Sequence, residues 1–194
     1  VLILAALTNF LLMPINTQFS LFIYLDHDGT EIDMALISLG MNIAIVAGAL
    51  ITSAKKEWKN KVNIFLLGII LIFVGIGIIA FATPQQLWMM TVGSIIGFCG
   101  VPILHTMLMT IIQTAIPPEA MGRVFSIIRL MTSIAMPLGI ILSGPIAELI
   151  GIKYLFLSAS ILGIIVVGTV GGIPPFSTIM NIGESIKESW GTDI

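Results

Sequence analysis

The sequence predicts an all-α membrane protein of six transmembrane helices arranged as a 3+3 inverted repeat. Three observations predict it. Apolar blocks of about 20 residues or more recur along the chain, each long enough to cross ~30 Å of hydrocarbon at ~1.5 Å per residue. The eight basic and ten acidic residues fall almost wholly between those blocks. The blocks themselves form two successive sets of three with the same order of character.

Composition excludes the other classes. Hydrophobic residues make up 57% of the chain and charged residues 9%, against ~25% charged in an average soluble domain. Mean hydropathy is +1.12. The apolar blocks recur through the whole chain, so a signal peptide does not account for them. Outer-membrane strands would be ~10 residues of alternating polarity, whereas Ile64–Ala82 has no ionisable residue and no alternation. A net charge of −2 gives no basic surface for nucleic acid. The single Cys99 lies inside a span and reads as a small packing residue.

The first block, Val1–Tyr24, carries Thr8, Asn9, Pro14, Asn16, Thr17 and Gln18 and is polar and interrupted. The second, Asp33–Thr52, carries Gly40, Ala44, Gly48 and Thr52 at intervals of four, which places them on one helix face as a stripe that admits close approach of another helix. The third, Val62–Ala82, is almost purely apolar and suits lipid contact or peripheral support. The fourth, Leu87–Ile116, is again polar and interrupted, with Gly93, Gly97, Gly100, Pro102, His105, Thr106, Thr110 and Gln113. In the fifth, Val124–Ala147, the stripe returns as Ala135, Gly139, Ser143 and Ala147. The sixth, Ile152–Gly172, is apolar. An odd number of spans per set inverts the second set relative to the first, the pattern of an inverted-topology repeat.

Connectors orient the bundle. Ser53–Lys61 holds four of the eight basic residues, and the positive-inside rule puts it in the cytoplasm. Both chain ends then lie in the cytoplasm, with Arg123 and Lys187 on the same side. Six Lys/Arg fall inside and one, Lys153, outside, where Asp26, Asp28, Glu31 and Glu148 gather. Trp58 and Trp88 stand at span boundaries. Residues 1–173 form the transmembrane domain and 174–194 a cytoplasmic tail, in which Ile179, Ile182, Ile186 and Trp190 mark either an interfacial helix or a loose terminus. Val1 is not a Met and already lies in an apolar block, so the sequence reads as a fragment whose upstream part is missing.

The stretch Ile116-Pro-Pro-Glu-Ala-Met-Gly-Arg-Val-Phe-Ser126, then Ala135-Met-Pro-Leu-Gly139 and Ser143-Gly-Pro-Ile-Ala-Glu-Leu-Ile-Gly151, resembles the cytoplasmic connector and eleventh helix of the major facilitator superfamily. It is most similar to the bacterial branch that includes macrolide-efflux and siderophore-export proteins. The resemblance covers Pro117–Gly151 by motif and the rest by span pattern. It implies that the chain is the second six-helix half of a twelve-helix transporter, its spans being helices seven to twelve. It also implies that the first and fourth spans line a central cavity, while Gly40, Ala44, Gly48, Ala135, Gly139 and Ser143 pack against the other half. The Ser53–Lys61 connector lacks the Asp of the family's Gly-x-x-x-Asp-Arg-type motif, so no gating salt bridge is expected there.

Individual residues keep two readings each. Pro117, Pro118 and Glu119 stop one helix and Gly122 permits the turn into the next; with Arg123 they form either a plain structural turn or a latch on one access state. Arg129 lies ~9 Å beyond Arg123 along the helix. It either snorkels to the inner interface or faces the cavity. His105 either helps to satisfy the Phe98 carbonyl that Pro102 leaves without its usual donor, or relays protons. Asn9, Asn16 and Gln18 are hydrogen-bonded between helices or line a cavity for a polar or amphipathic substrate. Asp26–Asp33 has the wrong Gly position for a calcium loop and lacks the distal Glu; Thr30 and Asp33 instead resemble a helix N-cap.

No phosphate loop, metal-ligand spacing or paired carboxylate supports an enzyme. The expected function is secondary active transport by alternating access with no cofactor, and the resemblance to the major facilitator superfamily implies export of a drug-like or other amphipathic molecule with a proton gradient as energy source. The alternatives are uptake of a small metabolite on the same fold and a non-transporting scaffold or sensor. The expected partners are the lipid bilayer, the upstream six-helix half and the small-molecule substrate. The expected location is the plasma membrane.

Overall fold

The computed structural model describes residues 2–54, 58, 60–84, 86–116 and 118–171, excluding the side chains of residues 2, 3, 115, 118–120, 131, 132, 135, 136, 170 and 171. The side chains of Glu119 and Ala135, and the whole tail 174–194, therefore lie outside the described set. Among the described residues six α-helices follow one another: α1 (Leu2–Leu21), α2 (Glu31–Ser53), α3 (Lys61–Phe81), α4 (Leu87–Ala115), α5 (Pro118–Ile150) and α6 (Ile152–Gly171). A π-helical turn, Phe22–Asp26, extends α1. Among the described residues five stretches are long and apolar enough to cross a membrane, and α5 adds a shorter apolar stretch, Pro137–Ile150. At 33 residues α5 is also the longest helix, ~50 Å at the usual rise.

Local chemistry sets several boundaries. α2 opens on a reciprocal capping box: the Thr30 hydroxyl accepts from the Asp33 N–H at 3.3 Å, and the Asp33 carboxylate accepts from the Thr30 N–H at 2.8 Å. α5 and α6 meet at the single residue Gly151, whose φ of +85° is open to glycine and costly to other residues. The prolines do not break the spans. α1 runs through Pro14, α4 through Pro102 and α5 through Pro137 and Pro145. The expected turn at Gly122 is also corrected. Pro118 opens α5 as its first residue, where a missing N–H costs nothing, and Gly122 sits within the helix with open space around it.

Helix neighbours follow a two-fold pattern. α2 packs on α4 as α5 packs on α1; α3 packs on α4 as α6 packs on α1; α3 and α6 face each other. Exchanging the two sets of three helices maps these five pairings onto one another, as expected of an inverted repeat, while the smaller contact of α5 with α6 has no comparable counterpart between α2 and α3. The pairing is swapped, since each small-striped helix lies against the polar helix of the other set.

Two expectations change here. The small stripes are occupied within the chain instead of facing another half. Gly40, Ala44, Gly48 and Thr52 are buried, with Gly40 beside Thr91 and Ile95 and Gly48 beside Cys99 and Pro102 of α4. Gly139 meets Met13 and Pro14 of α1, and the buried Ser143 accepts a hydrogen bond from Gln18. The outward surfaces of α2 and α5 are large apolar ones instead, among them Leu36, Ile43 and Leu50, and Leu130, Leu138 and Ile141.

Nor is the apolar α3 peripheral to the chain. Half of its apolar window is buried, against 22% of that of α2. Phe65, Ile69, Ile72, Phe73 and Ile79 anchor the core. Gly75 lets the α4 backbone come so close that an added Cβ would meet Gly93 and Gly97 at 2.5 Å. The Ser160 hydroxyl ties α6 to α3 by donating to the Phe73 carbonyl at 2.7 Å. Lipid and a helix interior are equally apolar, so hydropathy does not separate the two fates.

Candidate functional site

The first and fourth helices, polar in the sequence, make little direct contact. The space between them is a cavity of about 350 Å³, floored by α3 and bounded by α2. From α1 it takes Asn9, Leu12, Asn16, Phe19 and Ser20; from α4, Ser94, Phe98, Val101 and His105. Met34 and Met41 of α2 and Ile72, Ile76 and Ile79 of α3 complete the apolar walls.

Three of the five cavity candidates come together here. Asn9, Asn16 and His105 line the space, while Gln18 and Arg129 do not. Asn9 is half-buried and donates to the Ala5 carbonyl of its own helix at 3.1 Å, which leaves its carbonyl oxygen for other partners. Asn16 and His105 are exposed and have no hydrogen-bond partner among the described residues. His105 therefore does not serve the Phe98 carbonyl, and the local backbone role is not the one it takes here. Gln18 is buried, and its amide donates to the Ser143 hydroxyl at 3.4 Å, tying α1 to α5. Arg123 and Arg129 are exposed on α5, away from the cavity.

Among the described residues that line the cavity, His105 is the sole ionisable one. The cavity's other polar groups are amides and hydroxyls set among Ile, Met, Phe and Gly. Such walls hold a molecule by apolar contact and orient it through a few hydrogen bonds. Methionines add a deformable wall that adapts to irregular shapes. Among the described residues no group of His, Cys, Asp and Glu is placed to hold a metal ion.

The places of Ser94 and Phe98 on the cavity wall escaped the sequence reading, although the signal was present. Ser94, Phe98, Val101 and His105 recur at steps of four, three and four, one face of α4. Projecting that face N-terminally from His105 finds them. Asn9, Leu12, Asn16 and Phe19 form the equivalent face of α1.

Comparison with known proteins agrees with this geometry. The model of the Major Facilitator Superfamily matches residues 1–176. Macrolide efflux protein A of Streptococcus pyogenes is 29% identical over 162 residues, which cover 80% of this chain and 38% of that protein. Macrolide efflux protein A of Enterococcus faecalis is 28% identical over 145 residues, covering 72% of this chain and 43% of that one. The multidrug efflux pump Tap of Mycolicibacterium fortuitum is 30% identical over 135 residues, covering 70% and 32%. The chain thus spans about two fifths or less of the length of these relatives. No solved structure matches. A swapped two-fold arrangement of helices, five of the described stretches being long and apolar enough to cross a membrane, a cavity between the two polar helices and a family match along the whole described chain lead to one assignment: the chain belongs to the Major Facilitator Superfamily, a family of transporters and not of enzymes.

Proposed function

We propose that the chain forms half of a secondary active exporter that moves a drug-like, amphipathic molecule by alternating access. The cavity between α1 and α4 carries this proposal, because it opens between the two polar helices of an inverted repeat, where transporters of this architecture hold their cargo. The names of the relatives, macrolide and multidrug efflux proteins, supply the direction and the substrate class. Asn9, Asn16 and His105 face the cargo in this scheme. Gln18 steadies α1 against α5. Arg129 reaches the inner headgroups, and Glu119, Gly122 and Arg123 form the latch at the cytoplasmic end.

The partner is an upstream six-helix half of the same polypeptide, which meets this one across the face that α1 and α4 leave open. Both ends of the segment lie in the cytoplasm and the membrane is the plasma membrane, as the basic Ser53–Lys61 connector supports. A proton gradient drives export and no cofactor takes part.

The test is accumulation of a labelled macrolide in cells with and without the full-length protein, with the proton gradient intact or collapsed. Export predicts lower accumulation in the expressing cells and recovery on collapse. Higher accumulation points to uptake, and equal accumulation across a panel of macrolides, amphipathic dyes and metabolites sinks the transport proposal.

A further inference from the structure

We infer that Ser94 is a specificity-determining residue, whose hydroxyl takes a neutral oxygen acceptor of the cargo: a carbonyl, ether or hydroxyl oxygen on an apolar body. The inference rests on the cavity being the cargo site. It adds which atom reads the cargo and what that atom selects.

Hydroxyls on these helices mostly satisfy themselves. Those of Thr91, Thr110 and Ser158 donate to carbonyls three or four residues back. Ser160 instead reaches the Phe73 carbonyl on α3. Ser94 does neither. It is fully buried, and its Oγ is the sole buried side-chain oxygen or nitrogen without a partner among the described residues. A buried hydroxyl left unpaired is destabilising, so native proteins rarely keep one unless something else completes it.

The place from which a partner can come is the cavity, because Ser94 lines it. Gly93 and Gly97 line the cavity on the same helix and Ile79 of α3 lies against Gly93, none of them charged. A charged group brought here would lose its hydration without a counter-ion, whereas a neutral oxygen needs one donor, which the hydroxyl supplies. The hydroxyl is occluded in the present arrangement. α4 packs on α2 and α3, so cargo between α1 and α4 reaches the hydroxyl once side chains of α2 or α3 that wall the cavity shift. A site built to hydrogen-bond a particular oxygen rejects analogues that lack it.

The experiment compares full-length wild type with Ser94→Ala and Ser94→Cys in proteoliposomes, using labelled erythromycin as the probe, and adds thermal unfolding of each protein without probe. Ser94→Ala should raise KM about three- to tenfold, the worth of one neutral hydrogen bond, with Vmax little changed. Ser94→Cys, a weaker donor of similar size, should fall between. Without probe, Ser94→Ala should unfold at the same temperature as wild type or about 1–4 °C higher, because it removes an unpaired hydroxyl. An unchanged KM overturns the inference and leaves an ordered water as the partner. A lower Tm for Ser94→Ala also overturns it, since the hydroxyl then has a protein partner. If the wild type moves no erythromycin, the same comparison runs with the panel compound that it does move; if it moves none of the panel, the exporter proposal fails on its own, and a lower Tm for Ser94→Ala would still overturn the inference.

Discussion

Gly48 of α2 lies against Pro102 of α4, so close that a Cβ on the glycine would stand 2.6 Å from the proline Cγ. Its counterpart in the second set is Gly139 of α5, which lies against Pro14 of α1, with 3.5 Å from such a Cβ to the proline Cδ. In both sets a stripe glycine meets the proline of the polar helix. A proline removes one backbone donor and adds a ring, and the missing Cβ makes room for that ring. The two pairs pin the outer helices onto the helices that line the cavity.

Substitution at either glycine should therefore cost stability. Gly48→Ala and Gly139→Ala each place a methyl where backbone or Met13 already stands, and overpacking of this kind costs about 1–3 kcal/mol. Gly122→Ala is the control. Nothing lies within 4 Å of its missing Cβ, and in an exposed helix interior the change should stabilise by about 0.5–1 kcal/mol. Thermal unfolding in detergent checks all three; equal shifts would show that the glycine–proline contacts do not set the packing.

Gln18 and Ser143 stand 125 residues apart in sequence and join across α1 and α5. A double-mutant cycle of Gln18→Leu and Ser143→Ala should give a coupling of about 0.6 kcal/mol, the usual size for hydrogen bonds between membrane helices. Additive losses would place the stabilisation in packing alone.

How far the sequence foretold these contacts depends on the kind of contact. The Thr30–Asp33 cap and the paired stripes are local patterns readable from spacing, whereas the fifth span, expected at Val124–Ala147, is part of one helix from Pro118 to Ile150 because Pro118 starts a helix that runs on through Gly122. Which helix covers a stripe was not readable from spacing. Gly48 and Gly139 announce that something approaches, and Pro102 and Pro14 alone do not announce that they are what approaches. The burial of α3 was hidden for a related reason: Ile69 and Phe73 read alike whether lipid or α4 and α6 surround them. The cavity was half legible, because Asn9, Asn16 and His105 stand out in an apolar helix. Ser94 does not, since a serine in a membrane helix usually bonds its own backbone.

His27 joins two helix ends at the level of the π-helical turn. Its ring nitrogens lie 3.0 Å from the Phe22 carbonyl oxygen and 3.1 Å from that of Ala82. Phe22 packs on the ring edge-on at 4.4 Å and stacks on Phe156 of α6 at 4.9 Å. His27→Ala should cost about 1–3 kcal/mol, because the side chain and its carbonyl contacts are buried. It should also speed amide hydrogen exchange around Phe22–Gly29 and Ala82. Unchanged exchange at both places would show that the ring does not hold the ends together.

The α2 cap fixes where that helix begins. The Asp33 carboxylate accepts from the Thr30 N–H at 2.8 Å and from the Thr30 hydroxyl at 2.6 Å, and the Asp33 N–H donates back to that hydroxyl at 3.3 Å. The helix N-terminus also favours a carboxylate in its first turn. Thr30→Val keeps the bulk of the side chain and removes its hydroxyl, so it should cost about 0.5–2 kcal/mol, the usual worth of an N-cap. Asp33→Ala removes the other half of the box and should lower Tm in the same direction. The measurement is thermal unfolding of the full-length protein in detergent, with amide hydrogen exchange at Glu31–Met34. Unchanged Tm and exchange in both variants would mean that the cap does not hold the start of the helix.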